Sequence, residues 1–288
     1  MISDPFVDNR SLLFTVGYEM LGSAADAEDV VQETWLRWAG VDQALVSDPR
    51  SYLVKIVTRL SLNRLRTLAR QRETYVGPWL PEPLLTSPDP AQDAEFAENV
   101  SIAMLTVLET LGPAERAVFV LHEVFQTPHA EIAEVVGKTP AAVRQIARRA
   151  REHVAARRPR MEVDRAEQEA AVERFLAAVS TGKVQALMEV LAPDVVLVAD
   201  GGGVQPAARK PVTGAERVAM FLLRAAKEPD FTATSALINA MPGARIFVAG
   251  GPGVLSLVTD GGLVSRIYAI RNPHKLGRLE RPAKLTGR

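Results

Sequence analysis

Residues Thr127–Val154 read TPHAEIAEVVGKTPAAVRQIARRAREHV. The stretch divides at Gly137 into two short helical patterns. The first, about His129–Val136, sends Ile132 and Val136 inward and stops at Gly137, a residue able to take the left-handed conformation of a tight turn. Thr139 is an N-cap, and Pro140 suits the first helical position, where its missing N–H costs nothing. At ~100° per residue, Val143, Ile146, Ala147, Ala150 and Val154 share one side of the second helix. Ala141, Arg144, Gln145 and Arg148 share the opposite side. The pattern predicts a helix-turn-helix. An exposed Arg/Gln row near the start of its second helix suits the major groove of duplex DNA. Arg pairs with guanine O6/N7 and Gln with adenine N6/N7, each giving about 1–3 kcal/mol of discrimination. The plainer alternative is a surface helix with solvated charges.

A second basic face weighs against that alternative. Taken as a helix, Tyr52–Arg72 places Lys55, Arg59, Asn63, Arg66 and Arg70 within roughly an 80° arc. Leu53, Ile56, Val57, Leu60 and Leu68 lie across from them. Long cationic side chains at this spacing can track a phosphate backbone and release counterions. The segment Asp26–Trp38 is the opposite kind of helix. Asp26, Glu28, Asp29, Gln32 and Glu33 make its start acidic, which suits the helix dipole. Val30, Val31, Thr34, Trp35 and Trp38 give it a broad apolar surface. Such a helix repels DNA and suits a basic protein partner, while its tryptophans also fit a core.

The chain totals hide this segregation. The 288 residues carry 34 basic and 34 acidic side chains, a net charge of zero. Yet Lys138, Arg144, Arg148, Arg149, Arg151, Arg157, Arg158 and Arg160 are accompanied by Glu152 alone. Local sign decides phosphate binding, because exposed charges are screened within about 10 Å. With no cysteine, disulfides, thiolate metal sites and a Cys nucleophile are excluded. The four histidines show no metal-ligand spacing, and no metal or cofactor is expected. The start, MISDPFVDNR, is polar and acidic, and no run of ~18 apolar residues occurs. The expectation is a cytoplasmic protein with no membrane segment.

Four segments follow: 1–73, helical; 74–94, Pro-rich; 95–160, helical and ending in the helix-turn-helix; and 161–288. Pro78, Pro81, Pro83, Pro88 and Pro90 forbid a continuous helix in the second segment. Its Trp79, Leu80, Leu84 and Leu85 are too apolar for a solvated tether and predict packing on a neighbouring domain. In the last segment, helices are expected at Asp164–Val179, Val184–Leu191 and about Ala215–Lys227. Strands are expected at Val195–Ala199, Phe231–Asn239, Ala244–Ala249, Val254–Thr259 and Val264–Ile270. Turn signals stand at Asp200–Gly203, Pro242-Gly243, Gly250–Gly253 and Asp260–Gly262. This is an α+β pattern with a curved, mostly antiparallel sheet.

DAEDVVQETWLRW (Asp26–Trp38), DPRSYLVKIVTRLSLNRLR (Asp48–Arg66) and ERAVFVLHEVFQTPHAEIAEVVGKTPAAVRQIARRAR (Glu115–Arg151) resemble the extracytoplasmic-function (ECF) sigma factors of RNA polymerase. WLPEP (Trp79–Pro83), DGGG (Asp200–Gly203) and NPHKL (Asn272–Leu276) resemble the subgroup with a SnoaL-like C-terminal extension. The resemblance implies a multidomain chain. Two all-α DNA-binding domains, regions 2 and 4, precede a cone-shaped α+β domain. It implies that Asp26, Asp29, Gln32, Glu33 and Trp35 dock on the β′ coiled coil of core RNA polymerase, with region 4 at the β flap. Lys55, Arg59, Asn63, Arg66 and Arg70 would approach the −10 element. The loop about Ala39–Arg50 would help capture an unpaired base. Thr139, Ala141, Arg144, Gln145, Arg148 and Arg149 would read the −35 element. The extension would modulate the protein in cis through Trp79, Leu80, Pro81, Glu82, Pro83, Asp200, Gly201, Gly202, Gly203, Asn272, Pro273, His274, Lys275 and Leu276. No separate anti-sigma factor is expected, and the free chain is expected to be a monomer. His274 departs from the subgroup, where Asp commonly precedes the Lys.

SnoaL relatives include enzymes with an acid/base carboxylate, and Asp200 is the residue that fits that role here. Asp-Gly is also an ordinary turn signal, and no second carboxylate or His completes a dyad. The expectation is therefore no catalytic residue. A small ligand in the C-terminal domain is an intermediate reading. A stand-alone ligand-sensing DNA-binding regulator, or a cyclase or isomerase fused to a DNA-binding module, are the alternatives.

Overall fold

The computed structural model describes residues 4–72, 74–88, 94–161 and 164–286, without the side chains of residues 69–71 and 94. Along the chain run α1 (Pro5–Leu21), α2 (Ala24–Ala39), α3 (Pro49–Arg72), α4 (Ala94–Asn99), α5 (Ile102–Leu108), α6 (Pro113–Phe119), α7 (His129–Val136) and α8 (Pro140–Ala155). Then come α9 (Arg165–Ser180), α10 (Val184–Met188), β1 (Leu191–Asp200), β2 (Val212–Thr213), α11 (Ala215–Ala226), β3 (Thr232–Ile238), β4 (Met241–Val248), β5 (Gly251–Asp260) and β6 (Leu263–Ile270).

Contacts gather these into two compact units, cut differently from the four expected segments. One holds Met1–Glu73, Val107–Arg158 and Lys284–Arg288; the other holds Thr74–Thr106 and Pro159–Ala283. The Pro-rich segment and most of α5 thus belong with the sheet.

The first unit is all-helical. Leu13, Val16, Val31, Trp38, Leu53 and Val57 of α1, α2 and α3 are buried. A polar cluster joins this bundle to α6. Arg116, 2% exposed, and Arg72 both pair with Glu109. Arg116 Nε donates to the Glu19 carbonyl at 3.0 Å, and Arg72 donates to the Leu21 carbonyl at 2.9 Å. Burial holds the Arg116 guanidinium down to about 9 and that of Arg72 to about 10. Both stay charged at neutral pH, and their partners satisfy part of the desolvation cost.

The helix-turn-helix forms as read. Gly137 caps α7 at φ 67°, and the Thr139 hydroxyl accepts from the Ala142 N–H at 3.2 Å. Ile132, Ala133 and Val135 are buried on α7. The expected Val136 is only half-buried, because Val135 takes the core-facing position.

In the second unit the sheet runs β2-β1-β6-β5-β4-β3. All neighbours are antiparallel except β1 and β6, which are parallel. Alternating residues serve two cores, as the strand period of two requires. Leu197, Leu255, Leu257 and Ile267 pack with Phe175, Leu187 and Val218 of α9, α10 and α11. Val254, Val258, Tyr268 and Ile270 pack on the other side with Leu80, Ile102, Ala103, Leu276 and Leu279. A strand covered on both faces reads as a nearly continuous apolar run, which is how β5 and β6 read. The Pro-rich segment and α5 supply that second cover.

Two turn signals proved to be strand. Pro242 and Gly243 lie inside β4, facing Leu237 and Ala236 of β3. The turn sits earlier, at Asn239 and Ala240, which carry φ of 53° and 61°. Gly251–Gly253 likewise open β5, leaving Ala249 and Gly250 as the turn. Leu191, expected at a helix end, begins β1.

Candidate functional site

On α8, Ala141, Arg144, Gln145, Arg148 and Arg149 are all exposed, and Thr139 stands exposed at the N-cap. The opposite side, Val143, Ile146, Ala147, Ala150 and Val154, is buried. The amphipathic split leaves the polar row open to a groove. Arg148 meets Glu152 at 3.6 Å in an exposed pair of the kind worth little in water.

The basic face of α3 is partly occupied. Lys55 Nζ pairs with Glu134 of α7 at 2.7 Å, and Arg59 donates to the Glu134 carbonyl at 2.9 Å. The Lys55 ammonium, first of all, holds the Glu134 carboxyl below its ordinary range. Ser51 reaches Glu131 on the same helix. Asn63 and Arg66 are exposed, and Arg66 donates to Asn63 at 3.3 Å. The Arg70 side chain lies outside the described residues. Arg64, also in this basic stretch, is turned to Asp26 at 2.5 Å.

On α2 the two tryptophans part company. Trp38 is core at 1% exposure, whereas Trp35 is 45% and Leu36 59% exposed. Asp29, Gln32 and Glu33 are exposed beside them, while Asp26 is tied to Arg64. Trp35 and Leu36 thus form an exposed apolar pair among charged and polar neighbours, with Arg37 paired to Glu33 at 2.7 Å. The Ala39–Arg50 loop carries a short 3-10 turn at Gln43–Leu45, with Leu45 82% exposed.

In the second unit, Asp200 is completely buried and both its oxygens are taken. Oδ2 accepts from the Leu80 N–H at 2.9 Å and from Lys275 Nζ at 2.7 Å. Oδ1 accepts from the Tyr75 hydroxyl at 2.5 Å and from the Gly202 N–H at 3.0 Å. Lys275 Nζ also donates to the Leu80 carbonyl at 2.5 Å and lies over the Tyr75 and Trp79 rings at 4.8 and 4.0 Å. Burial and the neighbouring Asp200 push the Tyr75 hydroxyl well above its ordinary range. A chain rich in proline has few N–H groups with which to join a sheet. The ion pair answers this by serving both backbone groups of Leu80, which are too deep for water.

The remaining residues of this latch set its geometry. Asn272 Nδ2 donates to the Tyr75 hydroxyl at 2.7 Å, and its Oδ1 accepts from the His274 N–H at 3.0 Å. Gly202, at φ 61°, abuts the Asn272 amide, where any Cβ would collide. Gly201 is buried against the 205–207 loop and Gly203 lies by Val76. Pro81, Glu82, Pro83 and Leu276 are buried, whereas Pro273 and the His274 side chain are exposed.

The motifs left two contributors unmarked. Tyr75 is one. Asn239 is the other: it accepts from the Leu84 N–H at 2.8 Å and donates to the Val100 carbonyl at 2.9 Å. Asn tolerates the left-handed turn, which was a signal in the sequence, but its partners lie more than 130 residues away.

Asp200 does not line the apolar cavity between α9, α11 and the sheet. With four donors on its oxygens it serves as a structural anion and has no free lone-pair role in acid/base chemistry. Among the described residues no group of His, Asp and Glu gathers to hold a metal, and no helix is long and apolar enough to cross a membrane.

Residues 6–71 match the Sigma-70 region 2 model and residues 101–154 the Sigma-70 region 4 model. The chain is 38% identical to the ECF RNA polymerase sigma factor SigJ of Mycobacterium tuberculosis, over 97% of this chain and 95% of that one. It is 31% identical to the probable ECF sigma factor SigI of the same organism, over 93% and 92%. The crystal structure of M. tuberculosis SigJ superimposes with a TM-score of 0.77 at 35% identity, covering 97% of this chain and 99% of that one. The expectation that no separate anti-sigma factor acts on the chain gains no support from these comparisons. The whole-length match supports the architecture of helical sigma regions followed by an α+β domain, and the function of a sigma factor. The chain belongs to the ECF sigma factors of RNA polymerase, which bind the core enzyme and promoter DNA to direct transcription initiation.

Proposed function

We propose that the C-terminal domain modulates this sigma factor in cis by holding the segment between regions 2 and 4. The observation that carries the reading is the buried Asp200–Lys275 pair gripping Leu80. Elements named −35 and −10 lie roughly 25 base pairs, or about 85 Å, apart on B-form DNA. Helices α3 and α7, one from each region, touch through Lys55 and Glu134. Helix bodies about 10–12 Å across cannot serve both elements from that arrangement, so the regions must part on the promoter. Residues 72–100, between the two matched regions, can reach about 95 Å when fully extended, and every part that stays docked shortens that reach. Retention or release of the segment then tunes promoter competence.

In this reading Arg144, Gln145, Arg148 and Arg149 meet the −35 element, and Arg59, Asn63, Arg66 and Arg70 with Lys55 meet the −10 element. Trp35, Asp29, Gln32 and Glu33 meet the polymerase, a role that places the protein in the cytoplasm.

The test is transcription by reconstituted holoenzyme carrying full-length Asp200→Asn/Lys275→Met. Replacing both partners avoids an uncompensated buried charge, so the fold is kept. The expected outcome is a several-fold change in promoter-directed initiation with −35 duplex binding intact. Unchanged initiation would count against regulation through the latch.

A further inference from the structure

The α+β domain holds a cavity of about 490 Å³, within the usual range for small-molecule sites. Its walls are apolar, with Phe175 and Val179 from α9, Leu197 from β1, Phe221 from α11 and Leu255 from β5. Arg271, at the end of β6, is the buried cation among the lining residues, at 9% exposure. Its terminal nitrogens are fixed: one donates to the Pro206 carbonyl at 2.9 Å, the other to the Val248 carbonyl at 2.6 Å and to Gln205 Oε1 at 3.4 Å. Its Nε–H is buried with no hydrogen-bond partner. Among the described residues Arg271 makes no ion pair. The nearest acids act at a distance: Asp230 is engaged by the Ala249 and Gly250 N–H groups, and Glu228 is exposed at the cavity rim, as is Arg224. Burial holds the Arg271 guanidinium below its ordinary range.

A buried guanidinium whose Nε–H lacks a partner, among the lining of an apolar chamber, calls for a ligand with an anionic acceptor and an apolar body. We propose that this cavity binds a medium-chain carboxylic acid, its carboxylate accepting the Arg271 Nε–H and its hydrocarbon lying against Phe175, Leu197 and Phe221. The site is distinct from the Asp200–Lys275 latch, which does not line it.

Isothermal titration of the full chain with decanoate below its micelle concentration tests this, with decanol as the neutral probe. One saturable site is expected for decanoate, with decanol at least about tenfold weaker. Arg271→Gln should weaken decanoate by a similar factor. Because Arg271 also braces the Pro206 and Val248 carbonyls, that variant can lose its fold. Ala225→Phe, which fills the cavity from α11, is the companion and should abolish binding. Absence of saturable binding to the natural chain, equal affinity for decanol, or undiminished binding by Ala225→Phe would each overturn the proposal. The readout is binding alone, so it stands apart from any effect on transcription.

Discussion

Arg144, Gln145 and Arg148 stand exposed on a helix whose other side is fixed in the core, so each can be removed without disturbing the fold. Single Ala substitutions should cost about 1–3 kcal/mol of discrimination at one base position. A surface substitution of this kind should leave stability within about 0.5 kcal/mol. Competition binding of holoenzyme on single-base promoter variants measures the first, and urea unfolding the second. Glu19 is the opposite case. It is fully buried, its carboxyl oxygens have no hydrogen-bond partner, and burial raises its pKa well above the ordinary value despite Arg116. A raised folded pKa makes a contribution that is full below the unfolded value of about 4.3 and lost as pH climbs through the folded one. Stability should therefore fall over the range above about pH 5, as pH rises through the raised folded value, more steeply in the natural chain than in Glu19→Gln. Parallel urea midpoints across that window would remove Glu19 as the cause.

At the scale of elements, α3 and α7 share one clasp. Glu134 occupies Lys55 by its carboxylate and Arg59 by its carbonyl. Glu134→Gln removes the charge and leaves the backbone contact. Binding of the full chain to a −10 oligonucleotide should rise several-fold, with a steeper salt dependence as Lys55 becomes available to phosphate. Fluorescence anisotropy at several salt concentrations reads both, and an unchanged slope would show that Lys55 does not reach DNA. The latch behaves differently because it is buried. Lys275→Met alone strands the Asp200 charge and should destabilise by about 3–5 kcal/mol. The double change to Asn and Met should recover most of that loss in thermal unfolding.

Over the whole molecule, the chain passes between its two compact units after residues 73, 106, 158 and 283. The last passage returns the tail to the helical unit. There Leu285 is 1% exposed and the Thr286 N–H donates to the Thr15 hydroxyl at 2.9 Å. Leu285→Ala should lower the stability of the helical unit by about 2–5 kcal/mol, the cost of a cavity in a packed core. Chemical unfolding followed at Trp38, whose ring is buried in that unit, provides the measurement. A change confined to the α+β unit would place Leu285 elsewhere.

Local sequence was enough for the helix-turn-helix, because its helix period, Thr139 cap and Gly137 turn all act within a few residues. The same holds for most strands, and for the faces of α2 and α3 as far as their own periodicity goes. The motifs at 79–83, 200–203 and 272–276 marked the latch, though not what it does. Periodicity could not say that Trp38 is core and Trp35 surface, since both fit one apolar arc. Nor could it show that Glu134 would cover Lys55, or that Tyr75 and Asn239 would complete the hold on the Pro-rich segment. The last two outcomes rest on partners 79 to 197 residues apart, joined only when the chain closes on itself. Asp200 shows the division most clearly. Its sequence setting allowed a turn residue or a catalytic acid, and only the folded structure, by burying it against Lys275 and the Leu80 amide, made it the anchor of a strap.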